Sequence, residues 1–334
     1  MDGPVVNLWL DGCFDGFHYA HANAIRQAKV NIISGPANVR VVVGIHSDAE
    51  ILKIKGGPPI FDEAERCALV AGCRWVDAIV PDVPYNAHPN ILDKHSIDFV
   101  VHGNDVSLDA SGIDCLSEIK AMGKYKEFQR TEGVSSTLLL QRILHPAWPR
   151  PDPTPLTHLL DDFADAISPR PKIIDLRSLS GHHHVFPKPR KVNSKVIYVG
   201  GSWDCFGSAH VEFLERAKAL YLTDQIVLVV GIVSDEDVLE HTGEPALLSL
   251  LERALAVIQC KYSDALLLNA PRHMCATTLI PLGVDVVAVN DPKERVSGMQ
   301  VYAPKRFQTA QDVRARVWER KEQYEAKQRR KGLD

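Results

Sequence analysis

The sequence predicts an α/β fold used twice, as two tandem, doubly wound (Rossmann-like) parallel-sheet domains. Two observations predict it. Several short segments recur at one fixed spacing, and within each copy short β-branched runs alternate with segments of helical periodicity. A chain of 334 residues is long enough for two such domains.

The repeat comes first. Val43-Gly44-Ile45-His46-Ser47-Asp48 resembles Val230-Gly231-Ile232-Val233-Ser234-Asp235, and Glu65-Arg66 recurs as Glu252-Arg253. Cys73-Arg74-Trp75-Val76-Asp77-Ala78 recurs as Cys260-Lys261-Tyr262-Ser263-Asp264-Ala265. Ile97-Asp98-Phe99-Val100-Val101 recurs as Val284-Asp285-Val286-Val287-Ala288. All four pairs share an offset of 187 positions, which chance similarity does not produce. The opening strand and its turn keep the pattern with a small slip, residues 8–21 matching 197–210.

In the first copy, residues 5–10, 39–45, 78–80 and 99–102 read as buried parallel strands, because they are apolar or β-branched without polar alternation. Between them, 21–33, 62–72 and 89–95 read as helices. Right-handed crossovers then give a doubly wound sheet with ligands at the carboxyl ends of its strands. Residues 1–145 form the first domain, 146–193 a linker, 194–308 the second domain, and 309–334 a charged C-terminal helix. In the linker Pro149, Pro151, Pro153 and Pro155 disfavour regular structure, although a short helix fits 156–167. His182-His183-His184 beside that stretch reads as a mobile loop rather than a metal site. The tail alternates charge sign and reads as a solvated helix.

Composition narrows the class. Hydrophobic residues at 45% and charged residues at 24% fit a globular protein, and a net charge of −4 gives no basic field for nucleic acid. The seven cysteines are scattered and read as reduced thiols. No transmembrane segment or signal peptide is expected, and a cytoplasmic location follows, with peripheral contact to the endoplasmic reticulum membrane and a homodimer both compatible.

The chemistry gathers after the first strand, in Asp11-Gly12-Cys13-Phe14-Asp15-Gly16-Phe17-His18-Tyr19-Ala20-His21. A helix N-terminus attracts phosphate, and Gly12 and Gly16 let the backbone approach a bulky ligand. His18 and His21, three positions apart, suit donation to charge developing on a phosphoryl group. The same spacing also occurs in metal sites and helix caps.

Further segments follow in order: Ser47-Asp48, Lys53-Ile54-Lys55-Gly56-Gly57-Pro58-Pro59, Glu65-Arg66, Arg74-Trp75-Val76-Asp77, Pro84-Tyr85, His102-Gly103-Asn104-Asp105, and Arg130-Thr131-Glu132-Gly133-Val134-Ser135-Ser136-Thr137. Each has a structural alternative when taken singly. Lys55 can be solvated, Arg66 or Arg74 can sit in an ion pair, and Asp105 can be a turn residue. Together and in this order they resemble the cytidylyltransferase family, with its paired histidines and its R-T-x-G-[IV]-S segment. With the duplication included, the chain resembles the ethanolamine-phosphate cytidylyltransferase family.

That resemblance implies transfer of CMP from CTP to phosphoethanolamine, giving CDP-ethanolamine and pyrophosphate, with Mg²⁺ bound alongside CTP. It implies phosphate and transition-state roles for His18, His21, Lys55 and Arg130. It implies nucleotide contacts from Gly12, Cys13, Phe14, Asp15, Arg74, His102, Gly103, Asn104, Asp105, Thr131, Val134, Ser135, Ser136 and Thr137, and acceptor contacts from Asp15, Asp48, Lys55 and Tyr85. Metal ligands stay unassigned. Phosphocholine or glycerol 3-phosphate as acceptor, and a non-catalytic nucleotide-binding role, are the alternatives.

Two departures matter. Ala20 replaces the glycine of His-x-Gly-His, which is harmful only if that position needs positive φ. The second copy has Gly207 for the first histidine and Thr242 for Lys55, and Lys305-Arg306-Phe307 is a poor substitute for the arginine segment. It is expected to be inactive.

Overall fold

A computed structural model describes residues 3–35, 37–85, 89–105, 114–145, 148, 152, 154–178, 186, 194–221, 226–289, 300–302 (backbone only), 309–330 and 332. Pro146, Pro149, Pro151, Pro153, the His182-His183-His184 run and Lys305-Arg306-Phe307 lie outside the described residues. The chain divides into two compact units, Met1–Leu144 with Ala315–Asp334, and His145–Arg314.

In the first unit the elements run β1 (Val5–Gly12), α1 (Tyr19–Val30), β2 (Asn38–Ile45), α2 (Asp48–Lys55), α3 (Glu63–Ala71), β3 (Ala78–Val80), α4 (Asn90–Lys94), β4 (Phe99–Gly103), α5 (Ser117–Ala121), β5 (Tyr125–Phe128) and α6 (Ser136–Leu144). The strands are all parallel, in the order β3-β2-β1-β4-β5. Leu8, Trp9 and Leu10 of β1 and Val41, Val42 and Val43 of β2 are buried, which is why these strands read as continuous apolar runs. Strand order reverses between β1 and β4, so a crevice opens beyond Gly12 and Gly103.

Capping sets the helix ends. Ser47 caps α2 by accepting from the Glu50 amide, and Gly56 ends it with φ of 67°. Lys53 and Lys55 therefore belong to a helix, and the loop read from the sequence starts only at Gly56. Asp62 and Glu65 form a capping box on α3. The sequence reading omitted α5 and β5. β5 is a four-residue edge strand whose Lys126 and Glu127 break any apolar run.

The second unit holds α7 (Thr154–Asp165), β6 (Lys172–Asp175), β7 (Lys195–Gly201), α8 (Ser208–Lys218), β8 (Ile226–Val233), α9 (Asp235–Thr242), α10 (Leu250–Ile258), β9 (Ala265–Ala270), α11 (Ala276–Leu279), β10 (Val286–Ala288) and β11 (Gln300–Tyr302). Its parallel order is β11-β10-β7-β8-β9-β6, the first unit's order with one strand added at an edge. The added strand corrects the linker assignment. β6 pairs with β9 along residues 172–175, and α7 buries Leu156, Leu160 and Phe163.

The solvated-helix reading of the tail also needs correction. The tail is two helices, α12 (Ala310–Glu319) and α13 (Lys321–Arg330), and from Ala315 onward it packs on the first unit. Val317 and Tyr324, seven positions apart, are fully buried. Arg316 makes a two-pronged ion pair with Glu65, at 2.6 and 3.1 Å. A few apolar residues among many charges gave too weak a periodic signal to reveal this face.

Candidate active site

A cavity of about 380 Å³ opens in the first unit at the crevice. Seventeen sequence-predicted positions line it: Gly12, Cys13, Phe14, Asp15, His18, His21, Lys55, Tyr85, His102, Gly103, Asp105, Arg130, Thr131, Val134, Ser135, Ser136 and Thr137.

His18 is the N-cap of α1 in extended conformation, and its carbonyl accepts from the amides of His21 and Ala22. This turn brings the two imidazoles into a stack, centroids 3.9 Å apart and 16° from coplanar. Phe14 packs edge-on to His21, and Phe17 lies nearly parallel to it. Burial, helped by the charge of Arg130, lowers the His18 pKa to about 3. Burial, then His18, Lys55 and Arg130, also hold His21 well below the usual imidazole range. Both rings are therefore neutral near pH 7, and each presents one N–H. The buried Nδ1 atoms of both have no hydrogen-bond partner among the described residues. Buried polar atoms are normally satisfied, so a ligand is the expected partner.

Ala20, the second residue of α1, also lines the cavity and is not in a left-handed conformation. Alanine is a better helix former than glycine there. The position that needs glycine is Gly16, at φ of 68°.

Arg130 to Thr137 are held against α1. Asn23 donates to Thr131 Oγ1 at 2.8 Å, Gln27 to the Gln129 carbonyl at 3.0 Å, and Tyr19 to the Glu132 carbonyl at 3.4 Å. Ser135 caps α6 through the Leu138 amide, and Ser136 donates to the Asp15 carbonyl at 2.7 Å. Two helix N-termini, those of α1 and α6, thus border one cavity, an arrangement suited to anionic ligands. Arg130 pairs with Asp105 at 2.6 Å, and its backbone amide donates to Asn104 Oδ1 at 3.1 Å.

Three predicted residues do not line the cavity. Asn104 accepts from the Arg130 amide and donates to the Gln129 side chain at 3.2 Å. Arg74 follows α3, away from the lining. Asp48 is the ion-pair partner of Arg66 at 2.7 Å, and Arg66, fully buried, also donates to the carbonyls of Cys13 and Phe61. Asp15 lines the cavity, but its carboxylate is engaged by the Ile60 and Phe61 amides at 3.0 Å. It anchors the loop after Lys55. Burial raises its pKa, opposed by those two amides.

Sequence reasoning missed Asp11, His46, Cys115, Tyr324, Lys327 and Gln328 in the lining. His46 packs on Tyr85 with centroids 5.1 Å apart, and its Nδ1 contacts the Val83 carbonyl at 3.1 Å. A signal existed for two of them. Asp11 and His46 are Gly200 and Val233 in the second copy, so polar groups unique to the first copy mark its site. His102 against Val289 follows the same rule.

In the second unit the scaffold persists, and its described residues do not repeat the histidine pair. Asp204 accepts from the Leu247 and Leu248 amides, as Asp15 does from Ile60 and Phe61. Arg253 pairs with Asp235 at 2.6 Å, as Arg66 does with Asp48. Gly207 stands at the first histidine, and its amide donates to His210 Nδ1 at 2.9 Å. His210 is thereby tied into the cap of its own helix.

The family described as "Cytidylyltransferase-like" matches residues 9–142 and again 198–321. The ethanolamine-phosphate cytidylyltransferase of Dictyostelium discoideum is 32% identical over 358 aligned positions, covering 98% of this chain and 94% of that protein. The chain belongs to the ethanolamine-phosphate cytidylyltransferase family. Another member, described as a probable ethanolamine-phosphate cytidylyltransferase of Schizosaccharomyces pombe, is 38% identical over 79% of this chain and 72% of its own length. Choline-phosphate cytidylyltransferase 2 of Arabidopsis thaliana is 39% identical over only 42% of this chain and 45% of that protein. Membership in the ethanolamine-phosphate family thus extends over both copies.

Proposed function

We propose that the first unit transfers CMP from CTP to phosphoethanolamine, giving CDP-ethanolamine and pyrophosphate. The observation that carries this reading is the stacked His18–His21 pair between two helix N-termini, with both Nδ1 atoms unsatisfied among the described residues. A phosphate oxygen of the acceptor attacks the α-phosphorus of CTP. The new P–O bond forms as the bond to the bridging oxygen breaks, and pyrophosphate carries off the electron pair. The nucleophile is already anionic, so no general base is required. Neutral His18 and His21 donate N–H to the phosphoryl oxygens, while Lys55 and Arg130 offset the remaining charge. Tyr85, packed on His46, offers an aromatic face to the acceptor ammonium. Thr131, Ser136, Thr137 and the α6 N-terminus hold phosphate oxygens, and Gly12, Phe14, His102 and Gly103 the nucleoside.

Mg²⁺ belongs to the reading as a companion of the triphosphate. Among the described residues, no three His, Cys, Asp or Glu side chains converge as a metal cage, so the donor set suits an ion carried by the nucleotide. When bound, it would neutralise phosphate charge.

The reading extends to a cytoplasmic enzyme that meets the endoplasmic reticulum membrane only peripherally. Among the described residues, no helix is long and apolar enough to cross a membrane. It further includes a homodimer, checked by analytical ultracentrifugation. The functional test is pyrophosphate release from CTP with phosphoethanolamine, phosphocholine and glycerol 3-phosphate in parallel. Release with phosphoethanolamine at the highest kcat/KM is expected. Release with none of the three would refute the reading.

A further inference from the structure

The C-terminal helix forms part of the cavity wall. Four side chains of the tail donate to the loop that follows Lys55. Arg330 reaches the Gly56 carbonyl at 3.3 Å, Lys327 that of Pro58 at 3.1 Å, Tyr324 that of Pro59 at 3.0 Å, and Arg316 that of Ile60 at 3.1 Å. From the other side, Asp15 holds the Ile60 and Phe61 amides. The loop is gripped along its length, and α13 also packs against α6. Tyr324, Lys327 and Gln328 consequently line the same cavity as His18, Lys55 and Ser136.

Gln328 is the informative residue. It is only 7% exposed, yet its Nε2 has no hydrogen-bond partner among the described residues. A buried amide donor is normally paired, and leaving it unpaired is unfavourable. The cavity it shares is lined by Lys55, Lys327, Arg130 and the α6 N-terminus as well as by Asp11, Asp15 and Asp105, and Asp105 is already paired with Arg130. The Asp15 carboxylate, which lies within the field of Lys327, is already used by backbone amides. The group that satisfies an N–H in such a setting is an anionic oxygen brought in by a ligand.

We infer that Gln328, supported by Lys327, binds a phosphate oxygen of the reactants, which makes the C-terminal helix a substrate-binding element. This rests on the proposed function for the identity of those reactants. The phosphate belongs either to the triphosphate of CTP or to phosphoethanolamine, and the chemistry of recognition is the same.

The test uses the full chain with Gln328→Ala and the near-isosteric Gln328→Glu, and Gln323→Ala at an exposed position of the same helix as control. KM for CTP and for phosphoethanolamine are measured separately, alongside thermal melts. Gln328→Ala is expected to raise one of the two KM values by about 10- to 100-fold. Gln328→Glu is expected to raise the same one further, because it sets an anion against a phosphate. A rise for CTP assigns the triphosphate, and a rise for phosphoethanolamine assigns the acceptor. Unchanged KM values in both variants would overturn the inference. So would a lowered melting temperature with kcat reduced and neither KM raised, since that is a structural role. Should Gln328→Ala fail to fold, Gln328→Glu carries the comparison. A wild-type chain without turnover would sink the functional reading instead. The inference would then be judged by calorimetric binding of CTP and inorganic pyrophosphate, with weaker binding by Gln328→Glu supporting it and equal binding overturning it.

Discussion

Replacing Asp48 separates a structural carboxylate from a substrate ligand. The Asp48 carboxylate lies 2.7 Å from Arg66, whose side chain is 0% exposed, whereas that of Asp48 is 45% exposed. The other partners of Arg66 are the Cys13 and Phe61 carbonyls, which accept hydrogen bonds but do not neutralise charge. Breaking a fully buried pair costs about 3–5 kcal/mol. Water already reaches Asp48 and can replace part of the interaction, so Asp48→Asn is expected to cost roughly 1–3 kcal/mol. For a unit of this size that corresponds to a fall in Tm of roughly 2–12 °C. Differential scanning calorimetry measures it. The matched Asp235→Asn variant, which breaks the Arg253 pair, should show a fall of the same order. KM for phosphoethanolamine should change less than about threefold in both variants. A tenfold or larger rise in that KM for Asp48→Asn, with an unchanged melt, would refute this reasoning and return Asp48 to the acceptor site.

Three further outcomes are expected. Ala20→Gly should lower stability by up to about 1 kcal/mol without raising kcat, because residue 20 is helical; a clear gain in kcat would contradict this. Gly16→Ala should destabilise by roughly 1–2 kcal/mol in urea titrations, since φ is 68° and a Cβ would meet Leu139 at 2.9 Å; no shift in the midpoint would contradict it. The third concerns pH. The folded His18 pKa of about 3 lies below its ordinary value of 6.5, so between these values the unfolded chain binds a proton that the folded chain does not. Stability from this group is therefore full above pH 6.5 and is lost as pH falls toward 3. His18→Gln should melt closer to, or above, the wild type at pH 4.5 than at pH 7.5, and parallel pH profiles would contradict the assignment.

The repeat and four of the five strands of the first sheet were legible because buried parallel strands leave uninterrupted β-branched runs. The histidine turn and the segment from Arg130 to Thr137 were legible because their residue types and spacing match motifs of the cytidylyltransferase family, and the fold brings them to one cavity. Other features left no local trace. Asp48 occupies a motif position, but only the fold reveals that Arg66 takes its charge. Val317 and Tyr324 are two apolar residues in a strongly charged tail, so tertiary packing overrode a polar pattern. The strand at 172–175 is four residues long and gains its place by pairing with β9 and burying Ile174 in the core. Asp11 and His46 were within reach of the sequence, through comparison of the copies, since Gly200 and Val233 lack their polarity.

The most direct measurement is steady-state pyrophosphate release from CTP and phosphoethanolamine by wild type, His18→Ala and His210→Ala. His18 makes no side-chain cap bond, so its loss should leave α1 intact while removing a donor to the reacting phosphate. A fall in kcat of about 100- to 1,000-fold is expected for His18→Ala. His210→Ala is expected to retain kcat within about threefold, because that ring serves the cap of its own helix. Equal losses in the two variants, or full activity in His18→Ala, would contradict a single active site in the first unit.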